Sequence, residues 1–236
     1  MIHPDKLTDN ISLYNDDCMN VMKIYPDRYF DIAIVDPQYG INAGSPSDKS
    51  GYVKQKNGSK IYLKSTSFKK KDWDNEIMPR IYFQELIRVS KHQIIWGINH
   101  QIHFLPKSCG RIVWDKLNGE SDQYGCEIAY NSLNNRTDIV YYMWNGMMQG
   151  EVCSKSIRKA FKQQGNKKLN EKRIHPTQKP VKLYHWLLEN YVNPSWKIID
   201  THLGSGSIMI AADILGIQLV GIEKEEDYYQ DAQKRI

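Results

Sequence analysis

Asp36-Pro37-Gln38-Tyr39 sets a carboxylate, a rigid proline, an amide and an aromatic ring side by side, directly behind the apolar run Asp31-Ile32-Ala33-Ile34-Val35. Proline fixes φ and keeps only its carbonyl for backbone hydrogen bonding. The segment therefore offers two oxygens in set positions beside a planar stacking surface. That suits a planar amine, whose NH2 donates to both oxygens while its ring stacks on Tyr39. The plainer alternative is an Asp-Pro turn that ends a strand and leaves Tyr39 at the surface.

A second constellation lies toward the other end of the chain. Ile198-Ile199-Asp200-Thr201-His202-Leu203-Gly204-Ser205-Gly206-Ser207 runs from a strand-like stretch into a Gly-x-Gly turn, then into a segment with small residues (Ala211, Ala212). Glycines permit tight turning and close backbone approach to a ligand. The next apolar run ends in Ile222-Glu223, an acid suited to accept hydrogen bonds from ribose hydroxyls. Together these describe an adenosine-type site. No third glycine follows at dinucleotide spacing, which disfavours NAD and FAD, and no Gly-Lys-Ser/Thr follows, which excludes a P-loop.

Charge is concentrated in two stretches. Lys49, Lys54, Lys56, Lys60, Lys64, Lys69, Lys70 and Lys71 follow one another with no acid between them. Lys155, Arg158, Lys159, Lys162, Lys167, Lys168, Lys172 and Arg173 face Glu171 alone. Such local excess is the footprint of a polyanion binder, although lysine runs are also common in solvated loops.

These residues need a scaffold. Ile11–Tyr14 reads as a strand, and Asn15-Asp16-Asp17 as a turn and helix cap. The continuous apolar run before Asp36 reads as a strand buried on both faces, as in a parallel sheet. Residues 41–72, rich in Gly, Ser, Asn and Lys, read as a mobile basic loop. A helix is expected over Met78–Lys91, followed by strands at His92–Trp96, Arg111–Trp114, Glu127–Tyr130 and Asp138–Met143. Another helix is expected over Glu151–Gln164, and Pro176 and Pro180 force an irregular stretch. A helix at Leu183–Tyr191, a strand at Lys197–Asp200, a helix at Ser207–Leu215, a strand at Leu219–Glu223 and a final helix complete the series. This alternation predicts one α/β domain over residues 1–236 with a doubly wound, mainly parallel sheet. Residues 116–174 are expected to form an insertion that contacts nucleic acid, and most aromatics in the middle of the chain (Trp114, Tyr124, Tyr130, Tyr141, Tyr142, Trp144) are expected in the core. In an open α/β sheet both constellations fall at carboxyl ends of strands, where ligands bind.

Composition agrees with this outline. A chain of 236 residues with net charge +5 buries most of its apolar surface without cross-links. The four cysteines (Cys18, Cys109, Cys126, Cys153) show neither metal-ligand spacing nor a disulfide framework, so no metal site is expected and a reducing cytoplasm is. No apolar run approaches the roughly 20 residues of a membrane span.

Taken together, the motifs resemble the amino-methylating DNA methyltransferases of the permuted β class, in which a catalytic Asp-Pro-Pro-Tyr segment precedes the S-adenosylmethionine segment. Asp36-Pro37-Gln38-Tyr39 is similar to the first, with Gln38 in place of the second proline. Asp200-Thr201-His202-Leu203-Gly204-Ser205-Gly206-Ser207 is similar to the second, with Thr201-His202 in place of Pro-Phe. Asn15-Asp16-Asp17-Cys18 looks like the short acidic segment that helps to hold the cofactor's adenine. His175-Pro176-Thr177-Gln178-Lys179-Pro180 is similar to the loop lining the methionine end. The resemblance spans Asn15 to Glu223 and implies a circularly permuted S-adenosylmethionine-dependent methyltransferase fold. It implies catalytic residues Asp36, Pro37, Gln38 and Tyr39. It implies a cofactor site of Asp17, Cys18, His175, Thr177, Gln178, Lys179, Asp200, His202, Leu203, Gly204, Ser205, Gly206, Ser207 and Glu223.

Double-stranded DNA is the implied substrate, with Lys54, Lys56, Lys60, Lys64, Lys69, Lys70, Lys71, Arg158, Lys159 and Lys162 touching it. Within the family, aspartate at the first catalytic position favours adenine N6 and serine there favours cytosine N4, so Asp36 points to adenine. A target amine is inaccessible inside a duplex, so the base has to be flipped out. A homodimer and a cognate restriction endonuclease are compatible partners. Cytosine-N4 or RNA-amine methylation, and a non-catalytic module that binds cofactor and DNA, remain alternatives.

Overall fold

The structure, a computed structural model, describes residues 3–44, 51–54, 58–63, 69–118, 124–145, 148–160, 168 and 170–236. In chain order its elements are β1 (Asp5–Lys6), β2 (Ile11–Tyr14), α1 (Cys18–Met22), β3 (Phe30–Val35), β4 (Gly51–Lys54), β5 (Lys60–Leu63) and α2 (Arg80–Val89). Then follow β6 (Ser90–Trp96), α3 (Ile98–Gln101), β7 (Arg111–Asp115), β8 (Cys126–Asn131), β9 (Thr137–Tyr141), β10 (Trp144–Asn145), β11 (Met148–Gln149) and α4 (Ile157–Ala160). The chain ends with α5 (Val181–Tyr191), β12 (Lys197–Asp200), α6 (Ser207–Leu215), β13 (Gln218–Ile222) and α7 (Glu226–Gln233).

Nine strands form one sheet in the order β1-β2-β13-β12-β3-β6-β8-β7-β9, and β1 and β8 run against the others. The central strands, β3 and β12 above all, are buried on both faces because alternate residues feed two different helical layers. Ile32 and Ile34 of β3 join Ile198, Leu183, Leu187 and Met209 in one core, on the side of α5 and α6. Ala33 and Val35 join Val21, Met22, Phe83 and Leu86 in the other, on the side of α1 and α2. The helices show the matching stripe: Tyr82, Phe83, Leu86 and Val89 are the buried residues of α2.

The position of the site follows from topology. From β12 the chain crosses through α6 to β13 on one side, and from β3 it crosses through α2 to β6 on the other. β12 and β3 are parallel neighbours, with Ile198 opposite Ile32 and Ile199 opposite Ala33. Their carboxyl ends therefore flank a topological switch point, the place where such sheets open a crevice. This register brings Asp36 beside the turn after Asp200, from the opposite end of the sequence.

On two segments the structure adds detail that the sequence did not show. Residues 116–174 are not simply an insertion: β8 and β9 belong to the main sheet, because their buried residues (Ala129, Tyr130, Val140) complete its cores. Residues 41–72 hold a β4–β5 hairpin, and both ends of that segment are pinned, by Asn42 N–H to the Asp74 carbonyl (2.9 Å) and Lys71 N–H to the Gly44 carbonyl (2.8 Å). The helix expected over Glu151–Gln164 is described as α4, Ile157–Ala160. No described helix is long and apolar enough to cross a membrane.

Candidate active site

At the switch point a cavity of about 340 Å³ opens between the ends of β2, β3, β12 and β13. Asp17 enters it from the cap of α1, where its carboxylate accepts the Met19 N–H (2.9 Å) and pairs with Lys224 (3.1 Å). Cys18 lines the same wall, and burial pushes its thiol up to about 12, so it packs rather than reacts. The glycine turn is braced from β13: Glu223 accepts the Gly204 N–H on one oxygen (2.7 Å) and the Glu225 N–H on the other (2.9 Å). Both glycines take positive φ, +53° at Gly204 and +71° at Gly206.

The two glycines do different work. A Cβ on Gly204 would point at the His175 ring across the cavity (3.8 Å), whereas one on Gly206 would press on Met209 and Ala232 at 3.0 and 3.1 Å. Gly204, Ser205 and Ser207 line the cavity and Gly206 does not. Gly206 thus serves turn geometry and the seating of α7 rather than ligand approach. Asp200 also stays behind the wall: it is buried, accepts the His202 N–H (3.0 Å), and burial pushes it up to about 8.

His202 and Leu203 complete this side, and burial holds His202 down at about 4, hence neutral. His175, Thr177, Gln178 and Lys179 reach the cavity from the opposite loop. Burial, then the Lys71 and Lys179 charges, lower His175 to about 3. Gln178 is spent on holding its own loop, donating to Glu171 (2.7 Å) and accepting the Ile174 N–H (2.8 Å). Arg235 ties that loop to the glycine turn through Glu171 (2.9 Å) and the Ser205 carbonyl (2.6 Å).

An aromatic wall, unanticipated from sequence, covers the cavity. Trp73 lies 5.3 Å from His175 and His175 4.4 Å from Tyr228, centroid to centroid. Lys71 closes this corner, paired with Glu225 (2.8 Å) and Asp227 and seated 4.0 Å over the Tyr228 ring. Grouped by sequence with the DNA-contacting lysines, Lys71 instead meets two carboxylates at the start of α7.

The cavity also reaches Asp36 and Gln38. Here side chains from four separate segments converge. The Asp36 carboxylate accepts the Tyr39 hydroxyl (2.6 Å) on one oxygen and pairs with Lys179 (2.5 Å) on the other. Lys179 also pairs with Glu127 (2.9 Å), whose second oxygen meets Lys116 (2.5 Å). The Tyr39 ring stacks on His100 at 5.0 Å and 13°. Gly97 leaves room for it: a Cβ there would lie 2.0 Å from the ring. Asp74 fixes the backbone, its two oxygens accepting the N–H groups of Tyr39, Gly40, Ile41 and Ala43 at 2.7–3.2 Å. Gln101 holds the Gln38 carbonyl (3.0 Å). Pro37 lines a small adjoining hollow with Tyr39, Ile41 and Asp74.

Of the basic residues, Lys60, Lys69, Lys70 and Arg158 are exposed. Lys56, Lys64 and Lys162 lie outside the described residues, as do the side chains of Lys54 and Lys159. Arg173 turns inward over Trp144 (5.1 Å). On the hairpin, Tyr52 and Tyr62 form an exposed cross-strand ring pair at 5.2 Å. Trp114, Tyr130, Tyr142 and Trp144 are core residues, and Tyr124 is exposed.

A switch-point cavity with an acidic cap and a glycine turn, opening onto an Asp-Pro-x-Tyr corner, marks a ligand-binding site of the doubly wound α/β class. Comparison with known proteins gives the family. Residues 46–234 match the model of the DNA methylase family of N6 and N4 methyltransferases, and the chain belongs to that family. It is 25% identical over 253 residues to the Type II methyltransferase M2.DpnII of Streptococcus pneumoniae, covering 96% of this chain and 89% of that protein. Among solved structures, M1.HpyAVI in complex with SAM shares the fold at TM-score 0.53 and 20% identity, covering 96% of this chain and all of that one (100%). PvuII DNA methyltransferase, described as cytosine-N4-specific, shares it at TM-score 0.56 and 11% identity, covering 97% of this chain and 87% of that one.

Proposed function

We infer that this DNA methyltransferase transfers the methyl group of S-adenosylmethionine to N6 of adenine. The observation that carries the reading is one continuous cavity that joins the glycine turn and Glu223 to the Asp36 carboxylate.

The cavity's chemistry fits the cofactor. Asp17 and Glu223 offer carboxylates to a nucleoside's donors, while Met78, Leu203 and Ile222 supply apolar walls. His175 is neutral, so it adds no positive charge beside a sulfonium. S-adenosylmethionine supplies an electrophilic methyl group, and its departing carbon–sulfur bond pair returns to sulfur.

The protein's task is to prepare the nitrogen. An aryl amine is a poor nucleophile because its lone pair is delocalised into the ring. Asp36 and the Pro37 carbonyl, accepting its two protons, favour a pyramidal nitrogen with an available lone pair. As the nitrogen–carbon bond forms, positive charge develops on the amine, and Asp36 stabilises it. One amine proton must then leave, and Asp36 is the adjacent acceptor. The oxygen that the amine needs is held by the Tyr39 hydroxyl in the resting structure. The base therefore displaces that hydroxyl as Tyr39 turns to stack on it, an interaction worth roughly 1–3 kcal/mol.

The exposed lysines Lys60, Lys69 and Lys70, with the Tyr52–Tyr62 pair, are the surface offered to DNA phosphates and bases. Neutralising the three lysines together lowers the log–log salt slope of DNA binding by about 0.9 for each phosphate they pair with.

The decisive experiment digests methylated DNA to nucleosides and identifies them by mass spectrometry. N6-methyladenine is expected; N4-methylcytosine instead would overturn the choice of base, and no methylated nucleoside would overturn the activity.

A further inference from the structure

Asp36 is the terminal carboxylate of a four-membered chain of charges, Lys116–Glu127–Lys179–Asp36, linked at 2.5, 2.9 and 2.5 Å. All four side chains are at most 18% exposed. The chain is built by tertiary structure. Glu127 is in β8, Lys116 follows β7, Lys179 precedes α5 and Asp36 follows β3. In the β7–β8 ladder Trp114 faces Glu127 and Asp115 faces Cys126, so Lys116 lies diagonally across from Glu127 on one face.

We propose that Glu127, backed by Lys116, is a positioning residue that acts through Lys179 to orient the Asp36 carboxylate and to set the pH at which it accepts the amine's protons. The proposal rests on the catalytic role given above to Asp36. Nothing in the sequence motifs marks Glu127 or Lys116 for such a part, and neither lines the cofactor cavity.

Charge is shared unevenly along this row. Lys179 is a single ammonium between two carboxylates. Its own charge is secure, because Asp36 and Glu127 outweigh its burial. Glu127 has a second cation in Lys116, and against the cost of burial the two ammoniums hold it down at about 2. Among the described residues Asp36 has one cationic partner, Lys179; burial, with the Glu127 charge added, pushes it up. Glu127 therefore stays ionised, and Asp36 is the group left basic enough to take a proton.

The other titratable groups facing Asp36 do not change this division. Tyr39 on its own loop, Tyr184 on α5 and Tyr82 on α2 are all pushed up by burial and stay neutral. Asp200 at the end of β12 is raised to about 8 and is largely protonated at neutral pH.

Two substitutions separate this role from simple support, because they move Asp36 in opposite directions. Glu127→Gln removes a negative charge and leaves Lys179 to Asp36, so Asp36 ionises at lower pH. Lys116→Met removes a positive charge and leaves Glu127 to draw Lys179 away, so Asp36 ionises at higher pH. The acidic limb of kcat against pH is expected to move down in the first variant and up in the second, by about one unit each.

The same displacements are expected in a carbon-13 NMR titration of the Asp36 carboxyl, assigned by its loss in Asp36→Asn, in protein without cofactor or DNA. Cofactor affinity measured by calorimetry is expected to stay within about twofold. Opposite displacements in the carboxyl titration would support the chain. Unchanged or same-sign displacements in folded variants would overturn it. If the carboxyl moves as expected while the acidic limb does not, the chain stands and the catalytic role of Asp36 falls.

Discussion

The proposed cofactor cavity and the proposed catalytic corner share one switch point but are held together by different bonds. Around the cavity the work is done against backbone. Glu223 takes the N–H groups of Gly204 and Glu225, Asp200 takes that of His202, and Asp17 takes that of Met19. Such groups lie close in sequence or on neighbouring strands, and the turns carry them. In the corner the work passes between side chains that start far apart, Asp36, Lys179, Glu127 and Lys116, with Asp74 holding the Tyr39 N–H and Gly97 making room for its ring. A backbone site tolerates ligand-sized adjustment, whereas a buried chain of charges depends on every member. Removing one partner strands the next.

Asp36→Ala strikes the corner and is expected to cost the most. It removes the acceptor where charge develops, and methyl transfer falls by about 100- to 1000-fold in single turnover at saturating cofactor. Cofactor affinity stays near that of the unmodified chain, because the cavity's backbone bonds are untouched. Near-normal turnover would remove Asp36–Tyr39 from the chemistry.

Glu223→Ala tests the cavity side. It deletes a charged acceptor and releases two N–H groups, so cofactor binding weakens by roughly 1.5–3 kcal/mol. Calorimetry measures this, and unchanged affinity would detach the cofactor from this turn. Gly206→Val and Gly204→Val then divide the turn itself. Gly206→Val crowds Met209 and Ala232 and costs about 1–3 kcal/mol of stability through overpacking. Gly204→Val carries the same left-handed backbone strain (φ +53°) but meets the open cavity instead of Met209 and Ala232, so it loses less stability than Gly206→Val and more cofactor affinity. Equal melting temperatures for the two variants, or equal affinities, would erase the distinction.

An effect of pH belongs to the strand end behind the cavity. Burial raises Asp200 from the ordinary 3.8 to about 8, so the folded chain keeps a proton that the unfolded chain releases. The unfolded state then binds fewer protons, and this group's contribution to stability falls as pH rises from 3.8 toward 8. Asp200→Asn keeps the acceptor for His202 N–H and removes the titration. Its melting temperature is expected to decline less over that range than the unmodified chain's, and parallel declines would refute the shift.

Contiguous sequence determined the parts whose function depends on neighbours along the chain. Asp36-Pro37-Gln38-Tyr39 behind an apolar strand, the glycine turn, and Glu223 at the end of the next strand are visible because strand, turn and acid are consecutive. The alternation of strands and helices likewise follows from periodicity, which says which face of each element is buried. Periodicity does not say which strand lies beside which. Tertiary structure alone decided that β8 runs antiparallel beside β6, and so that Glu127 meets Lys179. It decided that Lys71 closes on Glu225 and Asp227, that Gly206 seats α7, and that Asp74 holds the loop after Tyr39. The physical reason is that a side chain's partner across a sheet is set by crossovers and register, quantities summed over the whole fold, whereas a turn's shape is set by the few residues within it.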